Sequence, residues 1–261
     1  MKTFKEVESP SRAAAQRALE LDPLLAEAHM SMGRIRYSGW DLTGAEKAFG
    51  RALEIDPNSV DAHFFHGMLF TALGRSAEAV AHMQRAEQLD PLSSTVQSGF
   101  GMVLYRARRF EEAIPHLNRA IELEPKVPGA YIRLAAVYEQ KGRYNEALEL
   151  ARKASALSDR PQAKRVHWAR IYARMGKREE ARRILDVLPK TRNYMQLAQV
   201  YAALGDKNEA FRLLVKKIES REDLNYVKTE PALESLRSDP RWPELLRRMN
   251  LPATEPSRSE K

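Results

Sequence analysis

One phrase recurs in this chain at a fixed step. It reads Arg51-Ala-Leu-Glu-Ile-Asp-Pro57, has relatives ending at Pro23, Pro91 and Pro125, and fades into Lys153–Asp159. The four prolines are 34 residues apart. Ala45, Ala79, Ala113, Ala147 and Ala181 keep the same step, as do the turn positions Gly74, Arg108, Gly142 and Gly176. A period of that length is one helix–turn–helix unit, too small to bury its apolar face alone, so copies must stack. The chain is therefore expected to be an all-α solenoid.

Read against that period, residues 11–23 supply only the second helix of a first unit, with Ser11 as its N-cap, after a flexible stretch at 1–10. Complete units follow at 24–57, 58–91, 92–125, 126–159 and 160–189, then a degenerate one at 190–218. A helical cap at 219–251 seals the last core face, and 252–261 is a polar tail expected to be disordered. The cap is expected to contain short helices near 231–237 and 240–249, the second N-capped by Asp239. Gly33, Gly67 and Gly101 share one column, where only a small residue lets two helices approach closely. Pro115 lies one turn into a second helix, where it should kink the axis without ending it. The mid-repeat start leaves the helix at 11–21 as an orphan whose stripe (Ala15, Ala18, Leu19) can pair with another copy, and it suggests the tail of a longer protein.

The unit resembles the tetratricopeptide repeat (TPR). Gly33, Ala45, Phe49, Ala52 and Pro57 match its pattern in one unit, and Gly67, Ala79, Ala86 and Pro91 in the next. Tyr131, Leu134, Tyr138, Ala147 and Ala154 match further on. The resemblance implies a right-handed TPR superhelix of about six hairpins, plus the partial first repeat and the cap. A narrower likeness lies in Tyr37-Ser-Gly-Trp-Asp-Leu-Thr-Gly-Ala-Glu46 and in residues 227–242. Both are similar to the C-terminal TPR region of bacterial multidomain regulators that carry a winged-helix, kinase or cyclase domain upstream.

Composition narrows the chemistry. There is no cysteine, which removes disulfides, thiolate zinc sites and cysteine nucleophiles together. No apolar run is long enough for a membrane span, and the amino terminus lacks a signal-peptide core, so a cytoplasmic location is expected. His63 and His66 lie three apart on one helix, but the register turns both toward the core, and His82, His116 and His167 sit in separate units with no evident cluster. No metal, cofactor or catalytic residue is expected. Acidic pairs such as Glu111-Glu112 suit helix N-termini, and nothing else marks an enzyme. Residues 151–261 hold 25 Lys/Arg against 15 Asp/Glu, whereas residues 1–150 hold 18 against 20. That asymmetry sustains an alternative: binding of nucleic acid or another polyanion by the basic carboxy-terminal half.

The concave groove is the remaining candidate. By the register of the TPR family, certain places on each first helix face inward. Here they or their neighbours are Met30, Arg34, Tyr37, Phe64, Met68, Met102, Tyr105, Arg106, Arg133, Arg170, Arg174, Arg192 and Met195. Methionine adapts to varied apolar partners and arginine matches carboxylate or phosphate. A protein or peptide segment, acidic or phosphorylated and carrying an apolar anchor, is the expected partner. The places lack the Lys and Asn of chaperone-clamping TPR domains, and they show no base-reading code, which argues against nucleic acid. In a solenoid each unit should contact mainly its neighbours. Arg170→Glu with Arg174→Glu is then expected to leave melting nearly unchanged.

Overall fold

The computed structural model describes residues 4–159, 161–188, 193–220 and 226–251. Among these residues the fold is entirely helical. An opening helix α1 (Phe4–Leu21) precedes six hairpins: α2 (Ala26–Ser38) with α3 (Leu42–Ile55), α4 (Val60–Leu73) with α5 (Ser76–Leu89), α6 (Ser94–Arg106) with α7 (Phe110–Leu123), α8 (Pro128–Gln140) with α9 (Tyr144–Ala156), α10 (Pro161–Arg174) with α11 (Arg178–Val187), and α12 (Tyr194–Leu204) with α13 (Lys207–Glu219). A 3-10 turn, Pro231–Leu236, and a short α14 (Trp242–Arg248) complete the chain.

Local chemistry sets these boundaries. Ser59 and Ser93 accept hydrogen bonds from the Ala62 and Val96 amides, capping α4 and α6. Asp41 does the same for α3 and Asp206 for α13. The repeated small column has a steric cause. A Cβ on Gly101 would lie 2.5 Å from Leu117 Cγ, and one on Gly33 would lie 2.5 Å from the Phe49 ring. Helix α7 runs unbroken through Pro115.

Four expectations need correction. Helix α1 begins at Phe4 rather than at Ser11 and includes Pro10, its seventh residue, which removes one intrahelical bond without ending the helix. Ala15 is buried, so the orphan stripe is partly covered by α2. Asp239 does not cap α14: it accepts from the Arg241 amide and side chain in a tight turn, and the helix starts afterwards at Trp242. The first of the two cap helices is a 3-10 turn. The 252–261 tail lies outside the described residues, as do Pro189 and Arg192.

The largest departure concerns connectivity. Residues 226–236, a strap leading out of the last hairpin, run back across the first helices. Tyr37 donates to the Tyr226 hydroxyl at 3.2 Å, Lys228 Nζ donates to the Leu73 carbonyl at 3.1 Å, and Tyr105 donates to Glu230 at 2.8 Å. Arg108 pairs with Glu234. One apolar cluster accordingly unites Leu42, Phe49 and Leu69 with Leu213, Leu233, Trp242 and Met249. The curl of a solenoid brings its first helices within reach of a segment lying inside the curve. Nearest-neighbour stacking therefore describes only part of this fold.

Candidate binding groove

Six of the residues singled out in the sequence come together. Met102, Tyr105, Arg106, Arg133, Arg170 and Met195 line a cavity of about 260 Å³, closed on one side by Tyr226 and Glu230 of the strap. Ile132, Ala136, His167, Gln196 and Gln199 complete its wall. The others are dispersed. Met30, Phe64 and Met68 are half-exposed on α2 and α4, Arg34 is exposed with its guanidinium 4.7 Å from the Phe65 ring centre, and Tyr37 is tied to Tyr226. Arg174 is exposed and outside the cavity wall.

Arg170 is not a surface charge. Its Nε lies 2.9 and 3.1 Å from the two Glu139 oxygens, it also donates to Gln199, and the pair is 7% and 0% exposed. Burial alone would disfavour the Arg170 charge, but Glu139, Tyr105 and Glu230 outweigh it and raise its pKa. Burial pushes the Glu139 carboxyl up, partly opposed by Arg170. The expectation that Arg170→Glu would leave melting unchanged therefore fails, because it would set two carboxylates face to face in the interior. Met102, at 8% exposure, is likewise interior.

The strap shows what the groove wall can hold. Glu230 accepts from Tyr105 and pairs with Arg106 at 3.1 Å, while the Tyr226 ring stacks 4.1 Å from the Arg106 guanidinium. Burial, then the Glu230 charge, drive the Tyr105 phenol well above its usual range. The carboxy-terminal segment was read from sequence only as a cap. No local signal marks Glu230, whose partners Tyr105 and Arg106 stand in another repeat. Many basic residues of this half are engaged: Arg178 with the Leu204 carbonyl, Arg212 with Glu209, Arg241 with Asp239 and Arg247 with Glu244.

The histidines do cluster, contrary to the sequence reading. His63 Nδ1 lies 3.0 Å from His82 Nδ1, and the His66 ring sits 4.5 Å from His82 and 4.3 Å from Phe70. Spacing across a hairpin is the cause: 19 residues separate His63 from His82, and the same step joins Gln97 to His116. Among the described residues no group of three or more His, Cys, Asp or Glu could hold a metal. Both His66 nitrogens are buried without a hydrogen-bond partner, and burial pushes His66 down to about 3 and His82 to about 4. Both sit below the unfolded value near 6.5, so the stability they contribute is complete above that pH and is lost as pH falls toward the folded values. Between pH 7 and pH 5 the loss from His66 should be about 1–2 kcal/mol after allowance for screening. Chemical denaturation at both pH values should show it, and His66→Phe should flatten it. An unchanged pH slope in that variant would contradict the assignment.

A second cavity, about 600 Å³, lies open between α1 and α2, lined by Ala14, Ala15, Ala18, Ala28 and Ile35 among others. Among the described residues no helix is long and apolar enough to cross a membrane.

Comparison with known proteins agrees with this architecture. Four family models described as tetratricopeptide repeat match residues 11–60 and 40–94, 92–160, 140–193 and 191–223. No curated protein matches significantly. Among solved structures, one titled as a functional characterization of Pseudomonas aeruginosa pilF is 19% identical with a TM-score of 0.55, covering 82% of this chain and 97% of that one. YrrB, titled as a TPR protein with an unusual peptide-binding site, is 19% identical with a TM-score of 0.49, covering 79% of this chain and 92% of its own. MamA is 22% identical with a TM-score of 0.48, covering 75% and 91%. With its period, its six hairpins and repeat matches along residues 11–223, the chain belongs to the tetratricopeptide repeat family.

Proposed function

We propose that this protein is an interaction scaffold that holds a segment of another protein in its concave groove. One observation supports this most: the groove already holds a stretch of the chain itself, through an aromatic ring and a carboxylate placed on Tyr105 and Arg106. The strap crosses the groove at the carboxy-terminal ends of α2, α4 and α6, so a partner segment enters where Met30, Arg34, Phe64 and Met68 remain accessible. A segment with an apolar anchor and acidic or phosphorylated residues complements that surface. The Trp40-Asp41 turn and the 227–242 segment favour a role as the sensory or assembly part of a cytoplasmic bacterial regulator. The open cavity beside α1 favours self-association through that helix as a secondary contact.

Capture from cell lysate followed by calorimetry on the recovered segment tests the groove. Met30→Asp with Met68→Asp is expected to weaken binding at least about tenfold, or about 1.4 kcal/mol, with the helical content retained. Wild-type affinity in that variant would move the site elsewhere.

A further inference from the structure

The cavity behind the strap contains more positive charge than its own carboxylates balance. Arg170 is matched by Glu139, and Arg106 by Glu230. Arg133 is matched by neither. Among the described residues its one hydrogen bond goes to the Ser98 hydroxyl, and it makes no ion pair. Burial, then the like charge of Arg106, push its guanidinium down from the ordinary value. Arg106 Nε is also buried with no acceptor. Arg133 is half-buried, and a cation largely withdrawn from water is normally paired, because an uncompensated charge there is costly. Room for a counter-ion exists here: the cavity measures about 260 Å³, several times the roughly 30 Å³ a liquid water occupies.

We propose that this cavity is an oxyanion site in which Arg133 binds one carboxylate or phosphate group. A planar guanidinium presents two parallel N–H donors to such a group. Gln196 lies on the same wall, and Met102 and Met195 give an apolar face to the carbon skeleton of an organic acid. The anion is either free in solution or the acidic side chain of a captured segment. The second source rests on the groove reading above; the first does not.

The test uses the full chain and inorganic phosphate, titrated against chloride at equal ionic strength while melting is followed. Wild type should gain about 2–4 °C in a saturable manner, as ligand linkage requires. Arg133→Gln should melt as high as wild type or higher in chloride, because an unmatched, half-buried charge is gone, and should lose the phosphate response. Ser98→Ala, which keeps the charge, should retain the response. A terminally blocked phosphoserine tripeptide separates the sources. An Arg133-dependent response to it assigns the anion to a segment's side chain, and a response to phosphate alone assigns it to a free anion. The proposal is overturned if wild type ignores phosphate, if Arg133→Gln responds equally, or if Arg133→Gln is destabilised in chloride. Failure of the groove reading would register separately, as wild-type binding in the Met30/Met68 variant.

Discussion

Arg170→Ala should destabilise the fold by about 3–5 kcal/mol, although the residue sits on a surface conventionally assigned to ligand binding. The substitution leaves Glu139, at 0% exposure, as a charge without its partner, and Gln199 loses its donor as well. Stability carried by this pair is a matter of mutual compensation rather than of the ion pair as such. Arg170→Met combined with Glu139→Leu should therefore recover most of the loss, since well-packed apolar replacements for a buried pair are often neutral. Denaturant midpoints of the single and double variants would show this. A harmless single variant, or a double variant as unstable as the single, would contradict the assignment.

Leu233→Ala and Leu236→Ala should each cost about 2–5 kcal/mol, the range for deleting a fully buried leucine side chain. Both side chains are completely buried. Where the damage spreads matters more than its size. In a strictly nearest-neighbour solenoid, only α12 and α13 would lose protection. Here the strap is bonded to Tyr37, to the Leu73 carbonyl and to Tyr105, so amide exchange should accelerate at the carboxy-terminal ends of α2, α4 and α6 as well. Exchange confined to the last hairpin would show that the strap merely rests on the first helices.

The buried Arg170–Glu139 pair and the strap mark the limit of what the sequence discloses. The 34-residue step made the hairpins legible because its small column, as at Gly33 and Gly101, and its turn position, as at Gly74, return from unit to unit, whereas the two N-caps expected from sequence, Ser11 and Asp239, both failed. It also named the cavity-lining places Met102, Tyr105, Arg106 and Arg133, through the groove register that the TPR resemblance implies. Arg170 was misread for a physical reason: its partner Glu139 stands in a different repeat, and a periodic ruler carries no information about pairing across it. The strap was illegible on the same ground. Glu230 meets Tyr105 across 125 residues, and only the curvature of the whole array makes that meeting possible. The histidine cluster was within reach, because the spacing that joins His63 to His82 returns at Gln97 and His116.

The proposed binding surface for a partner segment is the concave face, narrowed by the strap. Calorimetry on the captured segment tests it most directly, comparing Met30→Asp/Met68→Asp with Lys47→Glu/Arg152→Glu, whose residues are exposed on the second helices α3 and α9. Binding at least about tenfold weaker is expected for the first pair, and wild-type affinity for the second. The reverse order would place the binding surface on the convex side and contradict it.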